Sequence, residues 1–261
     1  MLMRYFARIA YRGTHYFGWQ RQPNQRSVQQ VIEEALTLLL GHEIAIVGCG
    51  RTDAGVHASE YYLHFDTPQL IPNQLAYRLN KYLPDDIVFY GFYEMEDFAH
   101  ARFDAYERSY EYHLRIAKNP FDPHLAYYFP QGNRLDFVRM NQACELLLSY
   151  EEFLPFCKTD HNANTLKCEM KRIEWVKVSS DKYILYVTAN RFLRGMIRLI
   201  VGMSLNIGLD KTSIEEVRIA MDKQTRLKRS LSVPPQGLFL KGIKYPTQIF
   251  KSTVENVPTS L

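Results

Sequence analysis

Cysteine is scarce in this chain of 261 residues, with four at 49, 144, 157 and 168. Their scatter offers no disulfide framework, and the compartment expected is a reducing cytoplasm. They make no zinc motif either, because a Cys-x-x-Cys knuckle is missing and Cys157, His161 and Cys168 match no standard ligand spacing. No metal is therefore expected. The plainer expectation is cysteines packed as small hydrophobes and a solvated loop around Asp160-His161-Asn162. No stretch approaches the roughly 20 consecutive apolar residues of a membrane-spanning helix, so no membrane partner is expected. The opening Met1-Leu2-Met3-Arg4-Tyr5-Phe6 runs into a strand pattern and lacks the layout of a signal peptide. Low-complexity tracts are missing too. With 46% hydrophobic residues, the chain has a globular composition and the length for one large domain or two ordinary ones.

A large charge excess is also absent, the formal net charge being +4. Its distribution is uneven. Between Arg191 and Arg229 nine Lys and Arg stand against four acids, a local +5 that leaves the remainder at −1. A basic stretch on a nearly neutral protein suits a phosphate backbone. Its densest part holds Arg226, Lys228 and Arg229, although such a run is equally at home as a solvated face. Arg12, Arg21 and Arg26, interleaved with Tyr16, Trp19 and glutamines, form a second candidate contact region for such a backbone.

Hydrophobic periodicity alternates between strand and helix. Residues 4–11 alternate as a strand. Ser27 and Gln30 read as a capping box for a helix to Leu40, with Val28, Val31, Ile32, Ala35 and Leu39 as its stripe and Gly41 as its stop. Strands are expected over 61–66, 87–93, 109–116, 173–178, 183–189 and 237–243. Helices are expected over 72–82, 135–150, 192–209 and 213–222. Strand pairs with helices on one side imply an α+β protein with a mainly antiparallel sheet. A boundary near 103–106 divides it into 1–105 and 106–261.

The densest chemistry lies in Gly50-Arg51-Thr52-Asp53-Ala54-Gly55-Val56-His57-Ala58. Glycines supply backbone freedom there, an apolar run at 44–47 leads in, and an aromatic run at 61–65 leads out. The segment reads as a sharp loop between strands with Asp53 near its tip. An isolated Asp-x-Gly is commonly only a turn. The whole nonamer, however, resembles the catalytic loop of the tRNA pseudouridine synthase A family. The likeness extends through Tyr11-Arg12-Gly13, Phe17-Gly18-Trp19-Gln20-Arg21-Gln22 and Ser27-Val28-Gln29. It continues in Phe98-Ala99-His100-Ala101-Arg102-Phe103, Tyr110-x-Tyr112, Asn190-Arg191-Phe192-Leu193, Met196-Ile197-Arg198 and Val201-Gly202, and ends in Gly237-Leu238-Phe239-Leu240.

That resemblance implies two similar α/β halves with mainly antiparallel sheets joined across a central catalytic cleft, and a homodimer. It implies tRNA as partner and conversion of uridine to pseudouridine in the anticodon stem-loop, at positions 38, 39 and 40 of the tRNA. It also assigns the catalytic role to Asp53, makes Arg198 the partner of that carboxylate, and sets Tyr110 against the target base.

The chemistry is consistent with these residues. The N1–C1′ bond breaks, the base turns, C5 bonds to C1′ and the C5 proton leaves. Redox state and atom count do not change, so neither a redox cofactor nor ATP is required. A carboxylate near the sugar is required, as nucleophile or as base. The sequence leaves open attack on C1′, attack on the base, and an elimination through a glycal. An anionic carboxylate in an apolar pocket needs a cation nearby, and Arg191, Arg194 and Arg198 fall on one face of the expected helix. An arginine there offers a permanent, bidentate charge. Arg191 and Arg194 are candidate phosphate contacts or solvated surface.

Tyr110 alone reads as a core tyrosine. Against a base, its ring stacks on uracil and its hydroxyl serves the C5 proton step. Leu238 and Phe239 are expected to wall the same pocket. Arg51 is an ordinary surface arginine, or a planar group that fills the stack a flipped uridine vacates. Thr52 and His57 complete the substrate-binding group, His57 as a donor that stabilises the loop. Three rival readings remain. One is the same isomerase on another RNA, and another is a non-catalytic RNA binder, which has no use for a carboxylate facing phosphates. The third, a glycosidase or nuclease, lacks a second carboxylate or a metal cluster.

Overall fold

The computed structural model describes residues 2–158 and 165–256. The expected loop at Asp160-His161-Asn162, and His161 as a metal ligand, lie outside the described residues. The chain separates into two compact units, one of residues 1–106 with 239–261 and the other of residues 107–238.

In the first unit, strand β1 (Met3–Tyr11) pairs antiparallel with β3 (His57–Thr67) on one side and β4 (Ile87–Met95) on the other. Helix α1 (Val28–Leu40) begins where Ser27 Oγ accepts a bond from Gln30 N and ends at Gly41 in the left-handed region. Gln30 Nε2 donates to Glu34 Oε1 instead, so only half of the expected capping box forms. Val28, Ile32, Ala35, Leu36 and Leu40 are the buried stripe, while Val31 and Leu39 stay half-buried. The run at 44–47 contributes only the short β2 (Val47–Gly48), paired to β3. Ile44 and Ile46 are buried outside regular pairing. Helix α2 (Leu75–Tyr82) precedes β4.

The second unit opens with β5 (Glu107–Arg115), flanked by the short parallel β6 (Tyr127–Tyr128). Helix α3 (Phe137–Leu147) is capped by Asp136, whose carboxylate accepts from Val138 N and Arg139 N. Strand β8 (Lys182–Ala189) lies antiparallel between β5 and β7 (Met170–Lys177). Helix α4 (Met196–Gly208) is packed against α3 and presents Ser204 Oγ to Trp175 Nε1 at 2.8 Å. Helix α5 (Ile214–Asp222) has a complete capping box from Ser213 and Glu216.

Helix α4 starts four residues later than expected because Gly195, at φ 70° and ψ 3°, is its N-cap. Arg191 and Arg194 therefore precede the helix, and the expectation that they share a helical face with Arg198 is corrected. The expected second half, 106–261, is corrected as well. Strand β9 (Leu238–Lys244) lies parallel to β3, with Phe239 opposite His57, and β10 (Phe250–Asn256) lies antiparallel to β4. The last residues thus return to the first unit, where they cover the backbone groups that β3 and β4 would otherwise leave unpaired. Both units mix helices with mainly antiparallel strands, the α+β class expected. Among the described residues no helix is long and apolar enough to cross a membrane.

His64 locks one turn of the first unit to β3. It is 5% exposed, its Nδ1 accepts from Ala101 N at 3.1 Å, and its ring stacks on Phe6. Burial, aided by the nearby Arg4 and His100 and opposed by Asp66 and Asp104, lowers its pKa from 6.5 to about 4. Folding thus favours the neutral ring, and an unfolded chain takes up the proton first as pH falls. Stability should decline from about pH 6.5 to about pH 4 by up to about 3 kcal/mol. Urea denaturation near neutrality and at about pH 4.5 measures this. A His64→Gln protein, which cannot titrate there, should show a shallower decline. An equal decline in both proteins would refute the assignment.

Candidate functional site

Two turns of the first unit are laced together around Asp53. The first, residues 13–19, follows β1; the second is the 50–57 loop between β2 and β3. Trp19 N donates to Thr52 O at 3.2 Å and Gly55 N to Tyr16 O at 3.3 Å. Gly13 N donates to His57 Nδ1 at 3.0 Å. Val56 N closes the tip by donating to Asp53 O at 3.2 Å. The approach demands glycine. At Gly18, where φ is 87°, a Cβ would stand 2.5 Å from Thr52 O.

Aromatic side chains brace this loop. Trp19 and Tyr61 stack at 4.1 Å, and Tyr11 meets Tyr61 edge-on at 5.5 Å. Tyr61 Oη donates to Gly50 O, and burial raises its pKa well above the usual phenol range, so it remains a donor. Tyr11 Oη and Thr52 Oγ1 lie 2.9 Å apart. The sequence carried Tyr11 and Gly18 only as parts of motifs and Trp19 also as an aromatic of the second candidate contact region. Their bracing role depends on contacts with residues about 40 positions away, which no local pattern displays.

The expected residues of this unit now have definite places. Thr52 is 9% exposed with its hydroxyl turned to Tyr11. His57 is 1% exposed and accepts through Nδ1, and its ring stacks on Phe239 at 4.6 Å. A main-chain N–H aimed at that nitrogen fixes it as the unprotonated one. Asp53 is half-buried and Arg51 exposed. Arg12 is exposed, and Arg21 makes an ion pair with Glu33 at 3.3 Å.

In the second unit Arg198 sits in the first turn of α4. Its Nε donates to Val233 O at 2.7 Å, and Val233 N donates back to Arg198 O at 3.3 Å. The next residue, Pro234, accepts from Tyr112 Oη at 2.8 Å. The segment before β9 is thus tied to both α4 and β5. Tyr110 is half-buried on β5 and meets Phe192 edge-on at 5.1 Å. Leu238 is 7% exposed. Arg194 is exposed, and its carbonyl accepts from Lys158 N. Burial pushes the Cys168 thiol up to about 11, and the charge of Arg191 opposes that rise. Arg191 therefore lies close enough to Cys168 for its charge to be felt.

Arg226, Lys228 and Arg229 are exposed, and Arg229 Nη1 donates to Lys211 O at 2.8 Å. Among the described residues no group of three or more His, Cys, Asp or Glu is arranged to hold a metal.

The lacing makes a prediction about glycine. Gly18→Ala brings both positive-φ strain and a clash with Thr52 O, whereas Gly41→Ala, at φ 77° with nothing within 4 Å, brings strain alone. Urea denaturation should show a loss of about 1 kcal/mol for Gly41→Ala and about 1–3 kcal/mol more for Gly18→Ala. Equal losses would mean that the two turns are not in contact as described.

Comparison with known proteins bears on what this arrangement serves. The family described as tRNA pseudouridine synthase matches residues 7–104 and 143–246, which include Asp53 and Arg198. Proteins called tRNA pseudouridine synthase A are similar along their whole length. That of Porphyromonas gingivalis is 41% identical over 253 residues, covering 95% of this chain and 100% of that protein. That of Bacteroides thetaiotaomicron is 39% identical, covering 100% and 97%. A more distant relative, from Caldicellulosiruptor saccharolyticus, is 35% identical, covering 91% and 97%. With the laced Asp53 loop and the anchored Arg198 both inside the matched segments, the chain belongs to the tRNA pseudouridine synthase family.

Proposed function

We propose that this protein isomerises uridine to pseudouridine in the anticodon stem-loop of tRNA, at positions 38, 39 and 40, as a cytoplasmic homodimer without a cofactor. The observation that carries this reading is the immobilised loop presenting Asp53, within a chain of this family. In the proposed mechanism the Asp53 carboxylate acts at the sugar, as nucleophile on C1′ or as the base that takes a ribose proton. Both routes need the anion.

Arg198 is the cationic partner of this carboxylate in the reaction, its guanidinium oriented by the bond to Val233 O. Tyr110 stacks on the uracil, and its hydroxyl serves the C5 proton step. Leu238 and Phe239 wall the base, with the Phe239 ring steadied against His57. Thr52 and His57 act by shaping the loop. Arg51, exposed beside Asp53, occupies the stack that the flipped uridine leaves. Arg12, Arg191, Arg194, Arg226, Lys228 and Arg229 contact phosphates. Arg21, paired with Glu33 through Nη1, joins them through its remaining N–H groups.

Asp53→Asn keeps the shape and removes the charge. Pseudouridine formation should be abolished, while affinity for the stem-loop holds or rises because repulsion between carboxylate and phosphate is gone. Mapping of pseudouridine in treated tRNA tests this and the positions together. Modification by Asp53→Asn at a rate near wild type would contradict the catalytic assignment, and modification confined to other RNA sites would contradict the substrate.

Neutralising Arg226, Lys228 and Arg229 together should weaken binding of all tRNAs and reduce the slope of log affinity against log salt by about 2 to 3. The rate at saturating RNA should hold. An unaltered slope would return these residues to plain solvated surface.

A further inference from the structure

Strand β1 carries two arginines on one face, and only one of them has an acid to meet. Arg4 stands opposite Asp66 on β3 and pairs with it at 2.7 Å. Arg8 stands opposite Tyr62 and has no hydrogen bond or ion pair among the described residues. It is half-buried. Its Nε is shut off from solvent without an acceptor, whereas the two Nη nitrogens at its tip still meet solvent. Glu60, on the same strand as Tyr62, accepts from Ile243 N at 3.3 Å and makes no ion pair with Arg8. Withdrawing part of a guanidinium from water without a counter-charge is unfavourable, so this position calls for an anion at the accessible tip.

The groups around Arg8 are phenols. Burial raises the Tyr62 pKa and the charge of Arg8 opposes the rise, so phenol and guanidinium are within electrostatic reach. The Tyr93 ring on β4 lies 6.4 Å from that of Tyr62. Tyr90 arrives through an irregularity. The register of β4 against β1 shifts between Arg8 and Ile9. Phe89 and Phe92, three residues apart, therefore both enter the core and stack at 5.6 Å, where regular alternation would send them to opposite faces. Tyr90, between them, is left with the Arg8 guanidinium over its ring, 5.4 Å from Cζ to centroid. Gly91, opposite Arg8 on β4, adds no side chain beside it. The hydroxyls of Tyr62, Tyr90 and Tyr93 have no partner among the described residues.

A guanidinium fork with an accessible tip, surrounded by phenols that can donate, matches an oxyanion with several acceptor oxygens. The isomerase reading brings such a group in the phosphodiester, and half-buried tyrosine rings suit the ribose or base next to it. Strand β1 ends at Tyr11, whose hydroxyl meets Thr52 beside Asp53, and three residues of strand place Arg8 about 10 Å from Tyr11. We propose that Arg8, with Tyr62, Tyr90 and Tyr93, holds one backbone phosphate of the bound RNA. This site rests on the reading of the protein as an RNA uridine isomerase, and it adds a fixed phosphate contact on the sheet itself.

The test uses the full chain and a fluorescently labelled anticodon stem-loop, with binding followed by anisotropy. Arg8→Gln should weaken binding about 10-fold and reduce the slope of log affinity against log salt by about 1. Arg8→Lys, which keeps the charge without the fork, should restore the slope and only part of the affinity. Tyr62→Phe, which keeps the ring, should weaken binding about 2- to 5-fold. Stem-loops with a single uncharged methylphosphonate linkage locate the contact. At one linkage the substitution should cost wild type the same factor as Arg8→Gln and should cost Arg8→Gln nothing further.

Equal losses for wild type and Arg8→Gln at every linkage would refute the site, and the same series with Tyr62→Phe decides it where Arg8→Gln fails to fold. Inorganic phosphate that stabilises wild type but not Arg8→Gln against urea, with no linkage coupled, would assign the site to a free anion and overturn the RNA contact. A smaller oligomer for Arg8→Gln, with no linkage coupled, would assign Arg8 to a carboxylate of a second copy and overturn it too. Pseudouridine formed by wild type with no linkage coupled would remove the site and leave the isomerase reading standing. One coupled linkage with no pseudouridine formed would do the reverse.

Discussion

A carboxylate carried on a loop can do directed chemistry only where the loop is held still, and here main-chain hydrogen bonds supply that restraint. The 13–19 turn donates to Thr52 O and His57 Nδ1 and accepts from Gly55 N, so a segment without regular structure over 51–56 is tied at three points. The aromatic brace of Tyr11, Trp19 and Tyr61 then removes rotational freedom from the loop's supports. Preorganisation of this kind places the ordering entropy in folding instead of in the reaction. It also explains why this part of the chain spends glycines at 13 and 18, where a Cβ would collide with Val56 O or Thr52 O.

The second unit uses the same economy with a charge. Arg198 is bound in both directions to Val233, so its side chain and backbone are fixed by one neighbouring residue. Tyr112, which donates to Pro234 O, holds the other side of that segment. The chain then passes into β9, where Phe239 stacks on His57 of the loop-bearing strand. Residues that touch no substrate in the proposed mechanism thus set the positions of those that do.

Much of this was legible in the sequence, unevenly. The alternation at 109–116 matched β5 closely, because a half-buried antiparallel strand writes its period of two directly into residue type. The nonamer around Asp53 was legible as a loop from its glycines and flanking strands. What failed were cases where a backbone conformation or a distant partner decided the matter. Gly195 ends the extended run in the left-handed region and so excludes Arg191 and Arg194 from α4. Nothing in the apolar pattern of 192–209 announces that. The return of β9 and β10 to the first unit depends on which strand edges need covering, a property of the assembled sheet.

The central claim is that the immobilised Asp53 loop serves an isomerisation in which C5 of uridine exchanges its hydrogen for a bond to the ribose. Release of tritium from tRNA carrying C5-labelled uridine measures this step, with no cofactor, metal or nucleotide triphosphate added. The expected result is tritium in solvent in a stoichiometry matching the anticodon stem-loop uridines, accompanied by an equal yield of pseudouridine. Tight binding of the labelled tRNA by the pure protein with no tritium released would contradict it.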